Sequence, residues 1–262
     1  MYIQPTTIKG AIWYQGEADS ESVTTANTYS CMLSSMISDW RLQWSLRSET
    51  DALFPFGVVQ LSVWNDEKNI TCGDDMNDQN YAVAVVRYAQ TGNYGYLPNP
   101  LMPNTFLATA IDLGDPNGPA GDVHPRFKQP VGRRLANAAR NLIYGESNLY
   151  WFGPIAQSAK VSDGNVTVNF RNVGEMGMQV KNYVGFELLD QDNHWIVANE
   201  SIERYGNYDV NIKIPANVQK VSKIRYNWYQ APCNPDTGIY QCSLYDMQNN
   251  LPAIPFLLDV SS

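Results

Sequence analysis

The sequence predicts an α/β unit over residues 1–150 followed by an all-β, sandwich-like unit over residues 151–262. Three observations carry this. Short apolar runs alternate with segments of helical period as far as residue 150. No helical period appears after Trp151. An Asp163-Gly164 pair inside an alternating stretch marks a β-hairpin in the second half.

The elements follow in chain order. Residues 8–14 are an almost continuous apolar run, the pattern of a buried parallel strand, and Gln15-Gly16 breaks it. Residues 25–44 place Tyr29, Leu33, Met36, Ile37, Trp40 and Trp44 at three- and four-residue spacing, one face of a helix. Residues 56–63 and 105–111 read as a second and third strand, with a polar loop over 64–79 and a short helix over 81–90 between them. Residues 128–144 are helical, with Val131, Leu135, Ala138, Ala139 and Leu142 on one face and Gly145 as the cap. Strand alternating with helix is the pattern of a doubly wound α/β domain. Beyond it, residues 160–168 are the hairpin, and 184–189, 210–214 and 223–229 are further strands.

The net charge of -8, with no cluster of lysine and arginine, repels phosphate backbones and excludes nucleic acid as a partner. No apolar run approaches the ~20 residues that span a bilayer. Cys233 and Cys242 enclose a short loop and read as a disulfide hairpin. A zinc site there would want more ligands than two histidines provide. Cys31 is expected as a buried thiol on its helix or as the partner of a cysteine outside this sequence; Cys72 either pairs or stays free. Sequons at Asn69, Asn165 and Asn199 are candidate glycosylation sites. With the cysteine pair they point to an oxidising compartment, secreted or lysosomal. Residues 1–7 lack the pattern of a signal peptide, so the signal is expected on a missing N-terminal segment.

Chemistry narrows to two places. His194 lies in a polar turn of the β unit and reads as surface structure. His124 lies in Gly121-Asp122-Val123-His124-Pro125, after a strand and before a helix, where α/β folds bind ligands. It reads either as a loop histidine satisfied by backbone or as a base whose tautomer a nearby carboxylate fixes. The second place is Trp13-Tyr14-Gln15-Gly16-Glu17-Ala18-Asp19, also after a strand. Gly16 allows close backbone approach, and Gln15 offers an amide donor. A solvated polar turn is the alternative there.

The block IWYQGEAD (12–19) resembles the WYQGE motif of the sialate O-acetylesterase family, within the SGNH-hydrolase superfamily. Similarity continues through FPFGVVQLS (54–62), GYLPNPLMPNTFLATAIDLGD (95–115) and VHPRFKQPVGRRLA (123–136), and reaches Pro232-Cys233 and Gln241-Cys242-Ser243-Leu244-Tyr245, which are similar to the family's closing cysteine hairpin. The resemblance implies that residues 1–150 are the C-terminal part of an SGNH-like three-layer α/β/α hydrolase domain, and that 151–262 are an accessory β-sandwich. It implies an esterase removing O-acetyl groups from sialic acids or related glycans, with His124 as general base and Gln15 and Gly16 at the oxyanion site. It implies neither a metal nor an organic cofactor. Trp13 and Tyr14 are expected to pack behind that site, and Glu17 to orient Gln15.

The sequence departs from the family in two places. The acid often found three residues before the histidine is replaced by Gly121. Asp122 is the first choice for that role and Asp112 the second. The upstream Gly-Gln-Ser-Asn-like nucleophile block is absent, and Ser20, Ser62 and Ser162 lack a nucleophile-elbow context. The expectation is a chain that needs the missing N-terminal part of the same protein as its partner. The rivals are a non-catalytic truncated paralogue or carbohydrate-binding protein, and an acetylesterase for another acetylated polysaccharide.

Overall fold

The computed structural model describes residues 6–63, 79–121, 124–233 and 238–261. Asn69, Cys72 and Asp122 lie outside the described residues. The chain is a mixed α/β structure with several sheets and three α-helices among those residues.

Three parallel strands, β1 (Ala11–Trp13), β2 (Phe56–Gln60) and β3 (Thr105–Thr109), form a sheet in the order β1-β2-β3. Every residue of β2 and β3 is buried, which is why both read as unbroken apolar runs. Side chains alternate across a strand. Phe56 and Val58 therefore pack with Leu33 and Ile37 of α1 (Val23–Arg47) and Val86 of α2 (Gln79–Ala89), while Val59 turns the other way to Val131 of α3 (Lys128–Leu142). Helices thus cover both faces of the sheet. Ser22 caps α1, its hydroxyl accepting the Thr25 amide at 3.2 Å.

Two expectations need correcting. β1 is parallel but not buried: it is a sheet edge, and Ile12 is 65% exposed. Ala11 and Trp13 face the α1 side, while Ile12 points to the other face, over Gly57. Cys31 is an exposed free thiol, not a buried one. The buried stripe of α1 runs Ala26, Tyr29, Leu33, Ile37 and Arg41, and position 31 lies about 200° around the helix from Tyr29.

The second half is built of strands. β4 (Ile155–Ser162) and β5 (Asn165–Arg171) form the anticipated hairpin, with Asp163 and Gly164 both at positive φ, 50° and 73°. An eight-stranded sheet contains them, in the order β8-β7-β11-β14-β4-β5-β10-β9. It adds β7 (Phe186–Leu189), β8 (Trp195–Val197), β9 (Ile202–Tyr205), β10 (Asp209–Lys213), β11 (Lys223–Tyr226) and β14 (Phe256–Ser261). The rings of Phe186, Tyr226, Phe256 and Phe170 touch one another in that order within one core. A small sheet of β6 (Met178–Val180), β12 (Leu244–Asp246) and β13 (Leu251–Pro252) completes it.

Two features fasten the strand-rich half to the parallel sheet. Arg87 of α2 is wholly buried and donates to the carbonyls of Leu61, Ser62, Tyr229 and Gln230. Cys233 and Cys242 form a disulfide, with Cα atoms 4.2 Å apart, that packs against Ile111 and Tyr245.

Candidate active site

Parallel strands share one carboxyl edge, and all three strand ends open onto it. The Tyr14–Gly16 turn leaves β1, residues 61–63 leave β2, and the long loop 110–127, carrying His124, leaves β3. The start of α3 then returns to the first turn. Lys128 Nζ lies 4.8 Å from the centre of the Tyr14 ring, and Tyr14 and Phe127 pack on the same cluster around Val59 and Val131. The turn bearing Gln15 and the segment following His124 are therefore in contact through these side chains.

The first turn is held tightly. Gln90, wholly buried at the end of α2, donates from Nε2 to the carbonyls of Gln15 and Val59, both at 3.0 Å, and accepts the Leu61 amide at 3.0 Å. One side chain thus ties the ends of β1 and β2 together. Gly16 has φ +139°, and an added Cβ would stand 2.9 Å from Val86 Cγ1, so only glycine fits. The Gln15 amide accepts the Tyr29 hydroxyl at 3.0 Å and donates to Asp19 at 2.7 Å. Asp19, rather than Glu17, is the acid that orients it. Burial pushes the Tyr29 hydroxyl up to about 12, so it stays a proton donor. Trp13 and Tyr14 sit behind the turn, Trp13 edge-on to Trp40 at 5.7 Å and Tyr14 raised well above its usual pKa by burial and then by Glu17.

His124 is exposed, and its amide donates to the Gly121 carbonyl at 3.1 Å. Its loop is staked by two ion pairs. At the root, Asp112 receives Arg134 Nη1 and Nη2 at 2.7 and 2.9 Å, and the Tyr245 hydroxyl at 3.2 Å. Across the middle, Asp115 receives Arg126 Nε, Nη2 and main-chain N–H at 2.7, 3.0 and 3.0 Å. These hydrogen bonds hold the Asp115 carboxyl below its ordinary range. Asp112 is turned into the protein, with both oxygens committed.

The serines are placed as follows. Ser20 is buried and donates to the Gly16 carbonyl at 2.9 Å, supporting the turn. Ser62 is buried at the end of β2, with no hydrogen-bond partner for Oγ among the described residues. Ser162 bonds Asp163 in the distant hairpin. His194 is in its turn, its amide bonded to Asp190. Asn199 is exposed, whereas the Asn165 amide donates to the Asp163 carbonyl at 3.1 Å. No group of three or more metal-ligating side chains occurs among the described residues, and no helix there is long and apolar enough to cross a membrane.

Gln90, Asp115, Arg126, Arg134 and Tyr245 are the supporting residues that sequence reasoning missed. Arg126 and Arg134 stand inside the VHPRFKQPVGRRLA block, and a charged residue on the apolar stripe of α3 was the available signal for Arg134.

Comparison with known proteins identifies the family. Residues 2–138 match the family model described as carbohydrate esterase, sialic acid-specific acetylesterase, and residues 156–260 match the sialate O-acetylesterase C-terminal domain. The mouse sialate O-acetylesterase is 34% identical over 264 residues, covering 99% of this chain and 46% of the relative. The human protein is 36% identical over 256 residues, covering 96% and 46%. A crystal structure of a carbohydrate acetylesterase from Xanthomonas citri superposes with a TM-score of 0.75 at 28% identity, covering 98% of this chain and 51% of that one. The chain spans about half the length of the relatives it matches.

Proposed function

The chain belongs to the sialate O-acetylesterase family, and from that premise we propose that it supplies the base and the oxyanion site of an esterase that removes O-acetyl groups from sialic acids. The observation that carries this reading is the shared carboxyl edge, where the Gln15-Gly16 turn and the His124 loop meet through Tyr14 and Lys128. Residues 1–150 act as the C-terminal part of an SGNH-like three-layer α/β/α domain, and residues 151–262 as an accessory β-sandwich.

In this reading the nucleophilic serine comes from a further segment of the same protein. It attacks the acetyl carbonyl and gives its proton to His124, which returns it to the departing sugar hydroxyl. Water then hydrolyses the acetyl-enzyme with the same base. Gly16 N–H and the Gln15 amide meet the oxyanion, and the Asp19 and Tyr29 bonds keep that amide from rotating away. Asp122 is the orienting acid, since the bonds of Asp112 to Arg134 and Tyr245 argue against Asp112. The disulfide and the exposed Asn199 support a secreted or lysosomal setting.

The test is acetate release from an O-acetylated sialic acid by the full-length protein, with His124→Ala. Turnover that His124→Ala abolishes supports the reading; wild-type turnover that survives it refutes the role of His124. Robust turnover by the 262-residue chain alone, sensitive to a serine inhibitor, would refute the external nucleophile and direct attention to Ser62. The likeness to a carbohydrate acetylesterase from Xanthomonas citri supports a second reading, as an acetylesterase for other acetylated carbohydrates. A substrate panel in the same assay separates the two.

A further inference from the structure

Arg126 stands two residues beyond His124, so their Cα atoms are at most ~7.6 Å apart. Its side chain is 59% exposed, while that of its partner Asp115 is 4% exposed. The pairing uses Nε and Nη2, one side of the guanidinium plane. Asp115 takes no hydrogen from Nη1. A guanidinium carries five donors in a rigid plane, so the edge formed by Nη1 and the second hydrogen of Nη2 is not used by Asp115 in a side chain that is 59% exposed. The main-chain N–H of Arg126 bonds the same carboxylate at 3.0 Å, which fixes the backbone as well as the side chain.

An open edge of this kind suits a second carboxylate, with Asp115 behind and the ligand in front. The need for it follows from charge. The chain carries a net charge of -8, and an anionic sugar approaching it requires a local cation. The neighbouring cations are otherwise directed: Lys128 lies over the Tyr14 ring within the field of Glu17, and Arg134 is buried on Asp112.

We propose that Arg126 binds the carboxylate of an acidic sugar substrate and is a specificity-determining residue of the esterase. The inference rests on the reading under Proposed function and deepens it. It makes the enzyme selective for O-acetylated sugars that carry a carboxylate beside the acetylated ring or chain, over neutral ones.

The test compares acetate release from an O-acetylated sialic acid and from its methyl ester, which loses the charge and gains a methyl group, using the full-length protein. The wild type is expected to prefer the free acid by about tenfold or more in kcat/KM, mainly through KM, the scale of one charge-assisted recognition contact. Arg126→Met is expected to bring the ratio close to one, and Arg126→Lys to leave an intermediate ratio. An equal loss on both substrates, or a ratio that Arg126→Met does not change, overturns the proposal and leaves Arg126 as a tie for the loop. If the wild type turns over neither compound, the esterase reading fails by itself. The subsite is then read by ligand-observed NMR with unacetylated sialic acid and its methyl ester, where equal binding by wild type and Arg126→Met overturns it.

Discussion

Asp112→Asn is a perturbation whose size follows from the structure. The Asp112 and Arg134 side chains are 0% and 3% exposed, joined by two hydrogen bonds of 2.7 and 2.9 Å. Burial opposes the charge on Arg134, and Asp112 more than offsets this, holding the guanidinium above its usual pKa. Asparagine removes the counter-charge and turns either an amide or a neutral oxygen toward the arginine. Breaking a buried pair by removing one partner costs about 3–5 kcal/mol, because the other charge stays behind uncompensated. At about 2–4 °C per kcal/mol for a protein of this size, Tm should fall by roughly 6–20 °C. Adding Arg134→Met removes the stranded charge, so the double variant should lose less than the sum of the two single variants. Thermal and urea melts of all four proteins measure this. A single-variant Tm within about 2 °C of wild type, or strict additivity in the double, would refute the argument. A fall in kcat of orders of magnitude with Tm unchanged would instead make Asp112 the acid that orients His124.

Other consequences can be checked in parallel. Gln90→Met leaves the Leu61 amide and the Val59 carbonyl without their side-chain partner, and three lost bonds at about 1 kcal/mol each predict a loss of roughly 3 kcal/mol in urea unfolding. Gly16→Ala forces a Cβ to within 2.9 Å of Val86 at φ +139°, and should lower kcat more than it raises KM by displacing an oxyanion donor. The Asp115 carboxyl is depressed in the folded protein by Arg126, so its contribution is complete above the ordinary value of 3.8 and is lost as pH falls through the lower folded value. Hydrogen exchange in residues 110–121, measured across that acid range, should rise relative to the β2 core, and no relative change would count against the clamp. Reduction of Cys233–Cys242 opens a loop of sequence separation 9, worth roughly 2–3 kcal/mol in the chain-entropy model, and should loosen Tyr240 and Tyr245 first; unchanged proteolysis there would contradict it.

The strands and helices were legible because period and burial coincide. Phe56–Gln60 and Thr105–Thr109 are buried on both faces and read as apolar runs; the Asp163-Gly164 turn requires two positive φ angles, which these residue types supply. The reading failed where an element faces a different environment from its composition. Ile12 is apolar yet open, because a strand's sequence does not reveal whether each face of its sheet is covered at that position. Leu142 was assigned to the buried face of α3 and is 44% exposed, while Arg134 takes a buried place through its partner 22 residues away. Such pairings are set by tertiary approach, which neither spacing nor hydropathy records. The same holds for Gln90, whose three bonds go to residues 29, 75 and 31 positions away.

The position of β14 in the eight-stranded sheet has a consequence for biosynthesis. It is the last of the described strands, yet it lies between β11 and β4, antiparallel to one and parallel to the other. Before residues 256–261 have left the ribosome, β7, β8 and β11 can form one patch of sheet and β4, β5, β9 and β10 another, but no hydrogen-bonded strand joins them. Phe256, which meets Phe170 on one side and Tyr226 on the other, arrives in the same step. The nascent strand-rich half therefore remains two unsealed pieces with apolar inner faces until translation has passed its final strand. Its maturation is a late closing event that waits for β14, and chaperone occupancy and aggregation risk should be greatest before it.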